Sequence, residues 1–143
     1  MGIAEGNLEM LFIDNNYRGI GRELMEKKPD CALARQMGGD SGNLNAKAVL
    51  DLAKAGDADC LEIFHTYVKY LCVGLSNLIN VLDPDMFVLG GGVAYAGDFL
   101  LDAVRDELRK HVYCPALPYA KVALARLGND AGIIGAAMLG RNR

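Results

Sequence analysis

The chain has 143 residues, enough for one domain or part of one and too few for two. Just over half of the residues (52%) are apolar and 23% are charged, a balance that suits a globular core, while the net charge of −3 argues against nucleic acid as a partner. No apolar run approaches the ~18 residues that span a bilayer and no basic-then-apolar leader opens the sequence, so the expected location is the cytoplasm, with no membrane partner.

Residues 1–43 are the least regular. Asn15-Asn16 predicts a turn and cap before a helix from about Tyr17 to Lys27, which Lys28-Pro29-Asp30 breaks; Met10 to Ile13 is the only upstream candidate for a strand. MGGDSGN, Met37 to Asn43, reads as a Gly/Ser connector in preference to an anion site. A helix from about Ala46 to Ala55 follows, with Asn45 as its N-cap. Gly56-Asp57 then predicts an αα-hairpin with almost no loop, because glycine takes the left-handed position that ends one helix and aspartate caps the next.

In the second helix of the pair, Leu61, Phe64, Val68, Leu71, Leu75, Leu78 and Leu82 alternate steps of three and four, which places them on one stripe. Cys60, Cys72 and Ile79 widen it beyond a coiled-coil seam, so the helix is expected to pack into a domain. Asp57 and Asp59 complement the positive end of its dipole, and Asp83-Pro84 ends it. Met86 to Leu89 has the unbroken apolarity of a parallel strand buried on both faces. A helix from Asp98 to His111 turns Leu101, Val104 and Leu108 inward and Arg105, Asp106, Glu107 and Arg109 to water. Lys121 to Leu127 reads as a second buried strand, completing a βαβ unit, and a last helix is expected from about Asp130 to Leu139. Two buried strands need neighbours in a larger sheet, so the chain is expected to be part of a domain, or to borrow strands from another chain as a dimer.

Cys31, Cys60, Cys72 and Cys114 are scattered without a CxxC pair, and His65 and His111 do not join them, so buried or idle thiols and structural histidines are expected in place of a metal site. The sequence MFVLGGGVAYAGDFLL, Met86 to Leu101, is the main candidate for a binding site. A strand that runs into glycines and then a helix leaves backbone N–H groups open at the carboxyl edge of the sheet, where a ligand can approach. The same glycines also suit a plain strand-to-helix turn, and they match neither GxGxxG nor a P-loop. GNDAGIIGAA, Gly128 to Ala137, offers an N-cap at Asn129 and a small-residue face for close helix packing, with a domain hinge as its functional reading. Glu9, in GNLEM, reads in isolation as a surface charge.

GLSNLINVLDPDMFVLGGGVAYAGDFLLDAVRDEL, ARLGNDAGIIGAAMLG and AKAGDADCLEIFHTYVKYLCVGLSN together resemble the carboxyl-terminal part of the ROK family (repressors, open reading frames and sugar kinases), over roughly Asn45 to Gly140. The resemblance implies an α/β, ribonuclease H-like (actin-like ATPase) fold, present here as one partial, helix-rich domain over 1–143, with 1–43 a lead-in and 44–143 the family-like core. It implies ATP, with Mg2+, as cofactor, and a hexose such as glucose as substrate. Gly90, Gly91, Gly92 and Val93 would lie against the adenosine and nearby phosphates. GNLE resembles the family's Gly-Cys-x-Glu element, which would make Glu9 a sugar ligand; Asn7 stands at the last zinc cysteine, so no zinc is expected. The Asp-x-Gly-Gly-Thr phosphate loop and the aspartate base are absent, so the chain alone is expected to be inactive. The alternative parent is a ROK transcriptional repressor, of which this would be the sugar-sensing portion.

Overall fold

The computed structural model describes residues 13–90, 92–126 and 137–138. Helix α1 spans Ile13–Lys27. It starts upstream of the expected Tyr17 and takes in Asn15, Asn16 and the end of the proposed Met10–Ile13 strand. Asparagine in a helix costs at most ~0.7 kcal/mol, so its preference for caps is easily outweighed. After the Pro29-Asp30 turn, a short helix α2 over Ala32–Gln36 is an element the sequence did not announce. Its cap is a thiol: Cys31 Sγ accepts the Ala34 N–H at 3.3 Å, a role that usually falls to Ser, Thr, Asp or Asn. MGGDSGN is a connector as expected, closed by a 3-10 turn over Ser41–Asn43 in which Asp40 Oδ1 accepts the Gly42 N–H at 2.8 Å.

Helix α3 spans Ala46–Lys54 and helix α4 Ala58–Leu82, and their junction has the expected chemistry. Asn45 Oδ1 accepts the Ala48 N–H at 2.9 Å, and Asp57 Oδ1 accepts the Cys60 N–H at 2.9 Å. Gly56 sits between them at φ 91°, a conformation that costs a residue with a Cβ roughly 1–2 kcal/mol. Asp83, at φ 44°, ends α4 while its N–H still reaches Ile79 O at 2.9 Å.

The buried stripe of α4 is rotated from the predicted one. Phe64, Val68 and Leu75 are buried as expected, and Ile63, Tyr67 and Ser76 join them, whereas Leu78 and Leu82 are exposed by 44% and 67%. Length accounts for Leu82 at the carboxyl end, whereas Leu78, beside buried Ser76 and Ile79, is exposed because the stripe itself is turned. At 1.5 Å per residue α4 is about 37 Å long, and helix α5, over Asp98–His111, is about 21 Å. The carboxyl end of α4 therefore runs past its partner. Where the two meet, Leu100, Val104 and Leu108 are wholly buried, and the Cys72 thiol donates to Val104 O at 3.5 Å. Phe64 stacks on Phe99 with ring centroids 4.5 Å apart.

Strand β1, Met86–Leu89, pairs in parallel with strand β2, Lys121–Leu124, in the register Met86↔Lys121 to Leu89↔Leu124. Strand β2 is shorter than the expected Lys121–Leu127, and Leu127 lies outside the described residues. The expectation of burial on both faces fails for β1: Met86 and Val88 are 50% and 61% exposed, while Phe87 and Leu89 pack inward. Helices cover one face of this two-stranded sheet, and among the described residues nothing covers the other. Of the helix expected over Asp130–Leu139, Ala137 and Met138 are described, and both are helical.

Candidate functional site

At the carboxyl end of β1 the chain leaves the sheet through Gly90, which is exposed, and enters a 3-10 turn over Gly92–Ala96 that leads into α5. Gly90 and the turn holding Gly92 and Val93 are thus brought together on one connection between strand and helix. Gly91 and Glu9 lie outside the described residues. A Cβ built on Gly90 would meet Ala125 Cβ at 3.5 Å, an ordinary van der Waals contact, so among the described residues packing does not demand a glycine there.

The far end of the turn is firmly placed. Ala96 is buried, the Gly97 N–H donates to Ala94 O at 3.0 Å, and Gly97 O accepts from both Leu100 and Leu101. Gly97 begins α5 at φ 64° without a side-chain cap, and Asp98 occupies the first helical turn. That carboxylate complements the positive end of the dipole, which weakens the helix end as an anion site.

Three residues that sequence reasoning passed over border this connection. Tyr95 is 56% exposed, and the ammonium groups of Lys47 and Lys54 lie 5.0 Å and 5.3 Å from its ring centroid. Lys47 and Lys54 are two helical turns apart on α3 and therefore share a face, a spacing readable in the sequence. That Tyr95 lies across them is a tertiary fact with no sequence signal.

The thiols and histidines stand apart from the turn. Burial pushes the Cys60 and Cys72 thiols up to about 12, which leaves them protonated and inert, whereas Cys114 is exposed. His111 Nε2 lies 2.9 Å from Glu107 Oε1, and the hydrogen bond from Lys110, with that of His111, holds the Glu107 carboxyl below its ordinary value. A groove of about 600 Å3 between α4 and α5 is lined by Glu62, His65, Lys69, Asp106, Glu107 and Lys110. No residue of the glycine turn reaches it, and its mixed surface charges form no cluster able to hold a metal among the described residues.

Solved structures that share the overall fold of the chain define its class. A ROK family glucokinase from Streptomyces griseus, crystallised with glucose and AMPPNP, superposes with a TM-score of 0.79 at 27% identity, over 92% of this chain and 44% of that one. A ROK hexokinase from Thermus thermophilus gives 0.63 at 26% identity, over 85% and 38%. The fold is accordingly the actin-like ATPase fold of sugar kinases, represented by a helix-rich part with one parallel strand pair.

The ROK family model matches residues 29–143, and the chain belongs to the ROK family. It is 39% identical over 98 residues to a glucokinase of Halalkalibacterium halodurans, covering 68% of this chain and 30% of that protein. It is 29% identical over 127 residues to an N-acetyl-D-glucosamine kinase of Haemophilus influenzae, covering 89% and 38%. The chain thus spans roughly a third of the length of the curated relatives it matches.

Proposed function

We propose that this chain is the carboxyl-terminal portion of an ATP-dependent hexose kinase, glucokinase-like, and that it supplies the adenosine-binding wall of the cleft between the two lobes. The observation that carries the reading is the connection that leaves exposed Gly90 at the carboxyl end of a parallel strand, the position at which open α/β sheets receive ligands. The likeness to a glucokinase crystallised with glucose and AMPPNP supports it.

Gly90 to Val93 would hold the adenosine by close backbone approach, with no side chain on the three glycines to keep the ligand away. The residues present fit that half of the nucleotide: Gly90 is exposed at the end of β1, and the acidic first turn of α5 directs the phosphates away from this helix. Bound ATP supplies the phosphoryl group. The general base, the phosphate loop and the partners of Mg2+ belong to the opposite lobe, so this chain alone orients a nucleotide without turning it over. Glu9 is assigned to the hexose, and the uncovered face of β1 supports a covering layer from the rest of the same protein or from a second copy in a dimer.

Titration of the chain with AMPPNP tests the reading. Saturable binding is expected, weakened at least ~10-fold by Gly91→Leu, which corresponds to about 1.4 kcal/mol. No hexokinase activity is expected from the chain by itself. Equal binding by both proteins would remove the adenosine wall, and formation of glucose 6-phosphate by the chain alone would refute the assignment of catalysis to the other lobe.

A further inference from the structure

The glycine connection has one end anchored by backbone bonds and the other by the sheet, yet its middle projects a large aromatic ring toward solvent. Tyr95 is 56% exposed where the neighbouring Ala96 is buried, so burial does not hold the ring in place. What it meets instead is charge. Lys47 and Lys54 both bring an ammonium group within about 5 Å of the ring centroid, at 5.0 Å and 5.3 Å. That is inside the ~6 Å range in which a cation is attracted by the ring quadrupole. Neither lysine is engaged by a carboxylate in the ion pairs among the described residues, so both cations are available to the ring.

We propose that Tyr95 is a positioning residue, which fixes the glycine connection against helix α3 through the ammonium groups of Lys47 and Lys54. The inference rests on the reading of that connection as the adenosine wall. It adds that the wall is set by a helix outside the βαβ unit. Helix α3 is capped by Asn45 at one end and closed at the other by the Gly56 and Asp57 N–H groups, which donate to Ala53 O and Leu52 O, and so makes a defined reference. Two lysines two turns apart hold one ring against sliding along the helix axis better than a single cation would.

The reporter is the Gly97 amide, whose hydrogen bond to Ala94 O closes the turn. In hydrogen exchange on the full chain, Tyr95→Leu is expected to speed exchange of this amide by about tenfold, the combined effect of two exposed cation–π contacts. Tyr95→Phe keeps the ring and should stay within about twofold of the parent, whereas Lys47→Gln/Lys54→Gln should match Tyr95→Leu. Because the ring is largely exposed, the thermal midpoint should hardly move in any of them. Unchanged exchange in Tyr95→Leu, or equal acceleration in Tyr95→Phe, overturns the inference. AMPPNP affinity is read in parallel and should fall in Tyr95→Leu and recover in Tyr95→Phe. Exchange that responds in a chain with no affinity for AMPPNP would refute the adenosine wall and leave the Tyr95 clamp standing. Affinity that falls in Gly91→Leu but not in Tyr95→Leu would refute positioning and leave the wall.

Discussion

One chemical change, glycine to alanine, should raise stability at one position of the helical layer and lower it at two others. Gly19 lies inside α1 with nothing within 4 Å of a built Cβ. The new methyl meets no obstacle there, and the change brings the helix-propensity gain of about 1 kcal/mol. Gly21, half a turn on, gains the same propensity, but its Cβ would fall 2.5 Å from Leu44 Cδ2. Leu44 is 1% exposed and has little room to withdraw, so overpacking of about 1–3 kcal/mol offsets the gain and reverses its sign. Gly56 has open space around its Cβ, and its φ of 91° alone sets the cost, about 1–2 kcal/mol. Urea and thermal unfolding followed by circular dichroism measure all three. With about 3 °C per kcal/mol for a chain of this size, Gly19→Ala should melt a few degrees above the parent, and Gly21→Ala and Gly56→Ala below it. Stabilisation by Gly21→Ala equal to that of Gly19→Ala would refute the close approach of α1 to Leu44. A neutral Gly56→Ala would refute the left-handed junction.

Loss of the α4 cap in Asp57→Ala should lower stability by ~1 kcal/mol, and Asp57→Asn should restore most of it; equal urea midpoints for all three proteins would contradict the capping role. Iodoacetamide at pH 8 should label Cys114 well before Cys60 or Cys72, whose thiols stay protonated up to about 12; native-state labelling of Cys72 seen by mass spectrometry would contradict its burial. The Glu107 carboxyl is held low in the folded state by Lys110 and His111, so its stabilisation is complete above the unfolded value near ~4.3 and lost as pH falls through the lower folded value. Glu107→Gln should therefore melt below the parent at pH 6 and approach it at pH 3. Parallel curves of melting temperature against pH would show that the carboxylate contributes nothing.

What the sequence disclosed was chemistry confined to neighbouring residues. Asn45, Gly56 and Asp57 carry their roles in their own side chains or lack of one, and the αα-hairpin follows from them. The same holds for the bounds of α5 and for the strand that precedes the glycines. Features that depend on distant atoms stayed hidden. Cys31 caps α2 with a sulfur that no capping pattern includes, and the turn of the buried stripe of α4 toward Ile63, Tyr67 and Ser76 is set by the helices packed around it. Met86 and Val88 have the apolarity of buried strand residues, yet the layer that would bury them is not among the described residues. At the site, the strand-to-helix connection after β1 was legible, whereas the approach of two α3 lysines to Tyr95 required the fold.

The parallel pairing of β1 with β2 also has a kinetic consequence. The α3–α4 hairpin needs only contacts between chain neighbours, and such helical pieces form within about a microsecond. The strands cannot register until the whole of α5 has folded back between them, so the closing entropy of that crossover is met before any sheet hydrogen bond repays it. The helical layer is thus expected to form before the strand pair whose uncovered face bears Met86 and Val88. The glycine connection, tied to both, acquires its final shape only when the slower of the two arrives.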